Sequence, residues 1–139
     1  MASSVLIDCL TRRVRGLLLC LGIAVLAGCA SGAPQRVSLV PVAADEMAGA
    51  VHLSRDVTAS LPSGTTVTLA SGSQWRRTGA IVQGDVYRAL AGAFTIPLPR
   101  QTEANLVASS GKLVGFYLPS DGTYIALSRP VPLPVPQRQ

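Results

Sequence analysis

Three cysteines, one histidine and seven acidic residues, together with the hydroxyls, are the chain's stock of nucleophiles, metal ligands and acid-base groups. His52, Ser54 and Asp56 bring triad residue types together in five positions. On a strand, however, residues two apart point the same way and stay roughly 7 Å apart, whereas nucleophile activation needs the hydroxyl within about 3 Å of the imidazole. No Gly-x-Ser-x-Gly elbow is present, so exposed polar alternation is the expectation there. Ser109-Ser110-Gly111-Lys112 looks like the end of a phosphate loop. It lacks a glycine five residues before Gly111, and Leu113 follows the lysine where Ser or Thr is needed. Of the acids, Asp121 belongs to a turn and Asp45-Glu46 lies near the N-terminal side. That leaves Asp85 and Glu103 as a conceivable carboxylate pair for glycan hydrolysis. A lone His52 is a poor start for zinc, and neither a metal nor a cofactor is expected.

The cysteines point to different chemistry. Leu17 to Ala27 is an uncharged run preceded by Arg12, Arg13 and Arg15 and followed by small residues, the three-part layout of a secretory signal. It is too short to cross a bilayer, which takes about 20 apolar residues. Leu26-Ala27-Gly28-Cys29 then resembles the lipobox of bacterial lipoproteins. The resemblance implies cleavage between Gly28 and Cys29 by the lipoprotein signal peptidase and a lipid thioether on Cys29. Ala30 stands where the family's inner-membrane retention signal would be Asp, which implies sorting to the outer membrane. Val14-Arg15-Gly16-Leu17 after the arginine pair lacks the step favoured by twin-arginine export, so general secretion is expected.

Cleavage there removes Cys9 and Cys20, and lipid consumes Cys29, so residues 30–139 hold no thiol for a disulfide or for redox chemistry. The full-chain charge of +5 loses three positive charges and one negative with the signal. The remaining basic residues are scattered, without the clustered footprint of a nucleic-acid binder. One small domain is expected, and Val, Leu, Ile and Ala suffice for its core. The anticipated division is a cleaved signal at 1–28, a lipidated N-terminus and tether at 29–49, a β domain at 50–128 and a proline-rich tail at 129–139.

What must position any site is a set of strands. Ala, Ser, Gly, Pro and Val dominate residues 30–49, with a first strand conceivable at 37–42. Around 43–52 Asp45-Glu46 suits a helix start while Gly49 weakens it. From Asp56 onward the pattern has period two, broken at regular intervals by turn residues. Strands are predicted at 57–61, 65–70, 73–78, 80–88 with a bulge at Gly84, and 94–98. The clearest part is 104–128, where Ser110-Gly111 and Pro119-Ser120-Asp121-Gly122 join three strands into a meander. These strands should fold into a small antiparallel sandwich or barrel, an all-β class.

Pairing outward from the two turns sets Ser109 opposite Lys112 and Leu118 opposite Thr123. Strict alternation then gathers Val107, Val114, Phe116, Leu118, Ile125 and Leu127 on a core face. Tyr117 and Tyr124 pair on the other, beside Gly115, Leu106 and Ala126, as a candidate platform for a sugar ring or a partner peptide. Trp75 is the third candidate binding residue: a two-residue loop at Ser71-Gly72 sets it opposite Thr68, and either a bulge returns it to the core or it is exposed. Pro130 to Pro136 carries proline at every second position, which suits an edge strand whose Val131, Leu133 and Val135 bond inward, or else a stiff solvated tail. The functional expectation is an outer-membrane, periplasm-facing lipoprotein, held to the membrane by lipid on Cys29 and acting without catalysis as a binding or scaffolding module for an envelope protein or peptidoglycan. An accessory part of a secretion, conjugation or pilus machine is the first alternative, and a peptidoglycan hydrolase the second.

Overall fold

The computed structural model describes residues 33–43 and 50–135, which form an all-β unit. The turn residues place the strands largely where the period-two pattern puts them. These are β1 (Gln35–Arg36), β2 (Val40–Pro41), β3 (Ala50–His52), β4 (Val57–Ser60), β5 (Thr66–Leu69), β6 (Gln74–Ile81), β7 (Gly84–Ala89), β8 (Thr95–Leu98), β9 (Arg100–Glu103), β10 (Asn105–Ser109), β11 (Lys112–Leu118) and β12 (Thr123–Pro132). An eight-stranded antiparallel sheet runs β1-β12-β11-β10-β7-β6-β2, with β3 on the same strand as β2, and curls into a half-barrel. Two separate hairpins, β4-β5 and β8-β9, complete the unit. Strand pairing is not confined to 50–128: β1 pairs with Tyr124 and Thr123, β2 with Ala80 and Gly79, and β12 continues to Pro132. Ala50–His52 is strand, so the helical turn expected there does not reach those residues; 44–49 lie outside the described residues.

The two predicted turns hold. Ser110 and Gly111 both have positive φ, 52° and 75°, the type I′ geometry that matches the twist of a hairpin. Ser109 faces Lys112, and Leu118 faces Thr123. Gly84 is no bulge; it starts β7 opposite Ile81, just after the Val82-Gln83 turn.

The faces depart from strict alternation. Val114 is an extra residue on β11: Ala108 faces Leu113, but Val107 faces Gly115 and Leu106 faces Phe116. Such a bulge reverses the side on which every later residue projects. Leu106 and Leu113 therefore join Phe116, Leu118, Ile125 and Leu127, while Val107 and Val114 move to the side of Tyr117 and Tyr124. Where β10, β11 and β12 meet, both faces are apolar, and both are covered. Against the Phe116 face lie Val57, Ala59, Leu61, Val67 and Leu69 of the β4-β5 hairpin, with Ile96 of β8. Against the tyrosine face lie Val37 and Leu39 of the β1-β2 strap.

Two more expectations change. β5 does not pair with β6; it pairs only with β4, and β6 takes β3 on one edge and β7 on the other. The Ser71-Gly72 turn is redirected because Asp56 Oδ1 accepts Ser71 N-H at 2.7 Å and Leu53 O accepts Gly72 N-H at 2.8 Å. At the other end, Val131 faces Leu113 and Leu133 N-H donates to Gly111 O at 2.9 Å, so the alternating prolines continue the sheet as far as Leu133, whereas Val135 N-H turns back to Leu133 O instead of bonding inward. Their edge lacks donors but keeps acceptors. Ser54 donates twice to one of these acceptors, its N-H and Oγ-H reaching Pro134 O at 3.0 and 2.9 Å.

Phe116, 0% exposed and stacked on Phe94 at 6.1 Å, fills the centre of the larger core. Phe116→Ala is expected to lower unfolding free energy by about 3–5 kcal/mol, the cost of a large buried cavity, as read from urea denaturation. In amide exchange, Val131 and Leu133 are expected to exchange slowly and Val135, bonded only to nearby Leu133 O, quickly. Fast exchange at all three would detach the segment from the sheet.

Candidate functional site

The residues singled out for chemistry are brought to structural tasks. His52 is exposed on β3 opposite Gln74. Ser54 ties the C-terminal segment, and Asp56 holds the 71–72 turn. Asp85 Oδ1 takes both Arg77 Nη2 at 2.8 Å and Arg77 Nε at 3.1 Å, a charge-assisted contact. Glu103 lies in the β8-β9 hairpin opposite Thr95, in a different sheet from Asp85. Among the described residues no group of three or more His, Cys, Asp or Glu gathers as a metal site. Cys29 and Gly28 lie outside the described residues.

The proposed aromatic platform is corrected. Tyr117 and Tyr124 do pair across β11 and β12, but they are only 7% and 6% exposed. The strap, which composition alone assigns to a tether, lies over them. Gly115 is not bare backbone either. A Cβ there would collide with the Tyr124 ring and Ile125 O, so the ring occupies the space a side chain would need. Tyr124 Oη donates to Val114 O at 3.0 Å, satisfying a carbonyl at the bulge.

Trp75 is 2% exposed, returned to the core by its pairing with Val51 and Ala89 rather than with β5. Its indole N-H finds a local acceptor in Ser73 Oγ at 3.0 Å, and Ser73 Oγ-H passes on to Ala70 O at 2.6 Å. Its ring meets Phe94 edge-on at 5.4 Å, within the favoured range for aromatic pairs.

Beside Trp75 a cavity of about 180 Å³ opens between β3, β7, β10 and the C-terminal segment. Leu53, Trp75, Tyr87, Leu106, Leu133 and Val135 contribute apolar surface, with Asp85 and the Ser110-Gly111 turn as polar lining. Pockets for whole small molecules run about 300–1,000 Å³. This one suits a single apolar side chain or ring. Leu133 and Val135 were legible only as strand or tail residues; the signal that would have placed them here is the register that brings Leu133 to Gly111.

The phenol of Tyr87 is held above its ordinary value of 10.0, first by burial and then by the Asp85 carboxylate, against an opposing Arg77 charge. Tyr124 is raised by burial alone. The folded protein thus keeps these protons at pH values where the unfolded chain, titrating near 10, has released them, so stability falls as pH rises through about 10. The melting temperature is expected to drop over that alkaline range. The drop should be smaller in Tyr87→Phe and Tyr124→Phe, and an identical alkaline profile in both variants would reject this cause.

No protein-family model, curated protein or solved structure matches the chain.

Proposed function

We propose that the chain is an outer-membrane lipoprotein, anchored through lipid on Cys29, whose β unit faces the periplasm and acts by non-catalytic binding within the cell envelope. The observation that carries this reading is the lipobox-like Leu26-Ala27-Gly28-Cys29 behind a basic and then apolar segment. Strand β1 begins at Gln35, six residues past Cys29. At no more than about 3.3–3.6 Å per residue, the chain between them spans about 20 Å at most.

The Trp75-Tyr87 cavity supports binding as the mode of action. Its size matches one anchor side chain of an envelope protein, the kind of buried apolar contact that dominates small interfaces.

Cys29→Ser is expected to abolish incorporation of labelled fatty acid, to leave the precursor uncleaved, and to shift the protein out of the outer-membrane fraction. One acyl chain gives only marginal attachment, at about 0.8 kcal/mol per buried methylene, so several chains on one cysteine are what make the anchor stable. Normal labelling and fractionation of the serine variant would overturn the reading.

A further inference from the structure

We propose that Arg76 and Arg88 form a binding site for a phosphate group. The two arginines face each other directly across β6 and β7, and both are exposed. Like charges at directly opposed positions of an antiparallel pair repel and destabilise the sheet. Among the described residues the one ion pair is Arg77 with Asp85. Arg77 stands opposite Tyr87, whose ring packs with the Phe116 core, so that pair belongs to the other face of the sheet. No described carboxylate therefore neutralises Arg76 and Arg88.

A cleft of about 400 Å³ lies against the pair, lined by Arg76, Thr78 and Arg88 together with Ala89-Leu90 and Gly92-Ala93. Ala89, Leu90, Gly92 and Ala93 add no charge, and their mostly small side chains leave the guanidinium forks accessible. Each fork offers parallel N-H donors that match oxyanions. A carboxylate engages one fork. A phosphomonoester has three terminal oxygens and about −1.5 to −2 charge at neutral pH, which matches two forks and two positive charges. The same chemistry is carried by free phosphate and by a lipid phosphomonoester headgroup. The competing anions are Asp45 and Glu46 of the same chain, upstream of Ala50, the register partner of Arg76.

This inference is independent of the anchor and of the Trp75 cavity, and it is tested on the full-length protein in non-ionic detergent. Inorganic phosphate is titrated against chloride at matched ionic strength while the melting temperature is followed. A saturable rise with phosphate alone is expected. Arg76→Gln and Arg88→Gln should each weaken apparent affinity roughly tenfold or more, as loss of a charge-assisted bidentate contact does. In phosphate-free, low-salt buffer Arg88→Gln should melt higher than the wild type, because it relieves the repulsion. Short-chain phosphatidic acid, with phosphatidylcholine as control, separates the two sources: tighter binding than inorganic phosphate assigns the site to a lipid headgroup, and equal binding to free phosphate. Absence of a saturable phosphate effect, unchanged affinity in Arg76→Gln and Arg88→Gln, or a lower melting temperature of Arg88→Gln without phosphate would overturn the proposal. The last result would show that the chain's own carboxylates already hold the pair.

Discussion

A sheet that is apolar on both faces cannot leave either one in water, and that constraint governs this fold. Phe116 and Leu118 point one way from β11, Tyr117 the other, and all three are buried. The chain meets the requirement with two kinds of cover. The β4-β5 and β8-β9 hairpins lie over one face, and the strap between β1 and β2 crosses the other. β2 pairs with the end of β6 while the C-terminal segment reaches Ser54 near its start. Opposite diagonals of the twisted sheet are therefore drawn together over opposite faces. Right-handed twist makes this geometry available, and the curl follows from it.

The bulge at Val114 is the local device that makes two cores possible. Leu113 and Phe116 are three apart yet share a face, as do Val114 and Tyr117. Gly115 then takes the Tyr124 ring in place of a side chain. The hydroxyl of that ring returns to the bulged carbonyl, so the irregularity leaves no acceptor stranded.

Turn chemistry was legible in the amino-acid sequence wherever a loop had one solution. Ser110-Gly111 and the 119–122 turn fixed the register of β10, β11 and β12 at their ends, and the all-β class followed from period two. The bulge was not legible, because Leu113-Val114-Gly115-Phe116-Tyr117-Leu118 is apolar on both parities and alternation carries no information there. The β5-β6 connection misled for a different reason: Ser71-Gly72 has hairpin residues, but Asp56 and Leu53, well upstream, decide where that turn goes. The strap was hidden by composition. Residues 33–43 have few large side chains, and only Val37 and Leu39, set over the two tyrosines, reveal what they cover. Of the three aromatic binding candidates, all proved to be core, since a long-range cover cannot be read from a local pattern.

The strap is also the described part of the chain nearest its N-terminus. A pull on the N-terminus reaches β1 first, a strand of two residues paired with Tyr124 and Thr123 at the sheet margin. β1 runs straight into the strap, so losing those bonds would lift the lid of the smaller core. Tyr117 and Tyr124 would meet solvent while the hairpin-covered core, fastened through β4, β5 and the Ser54 closure, stayed shut. Release of β1 and exposure of that aromatic pair are in this way coupled.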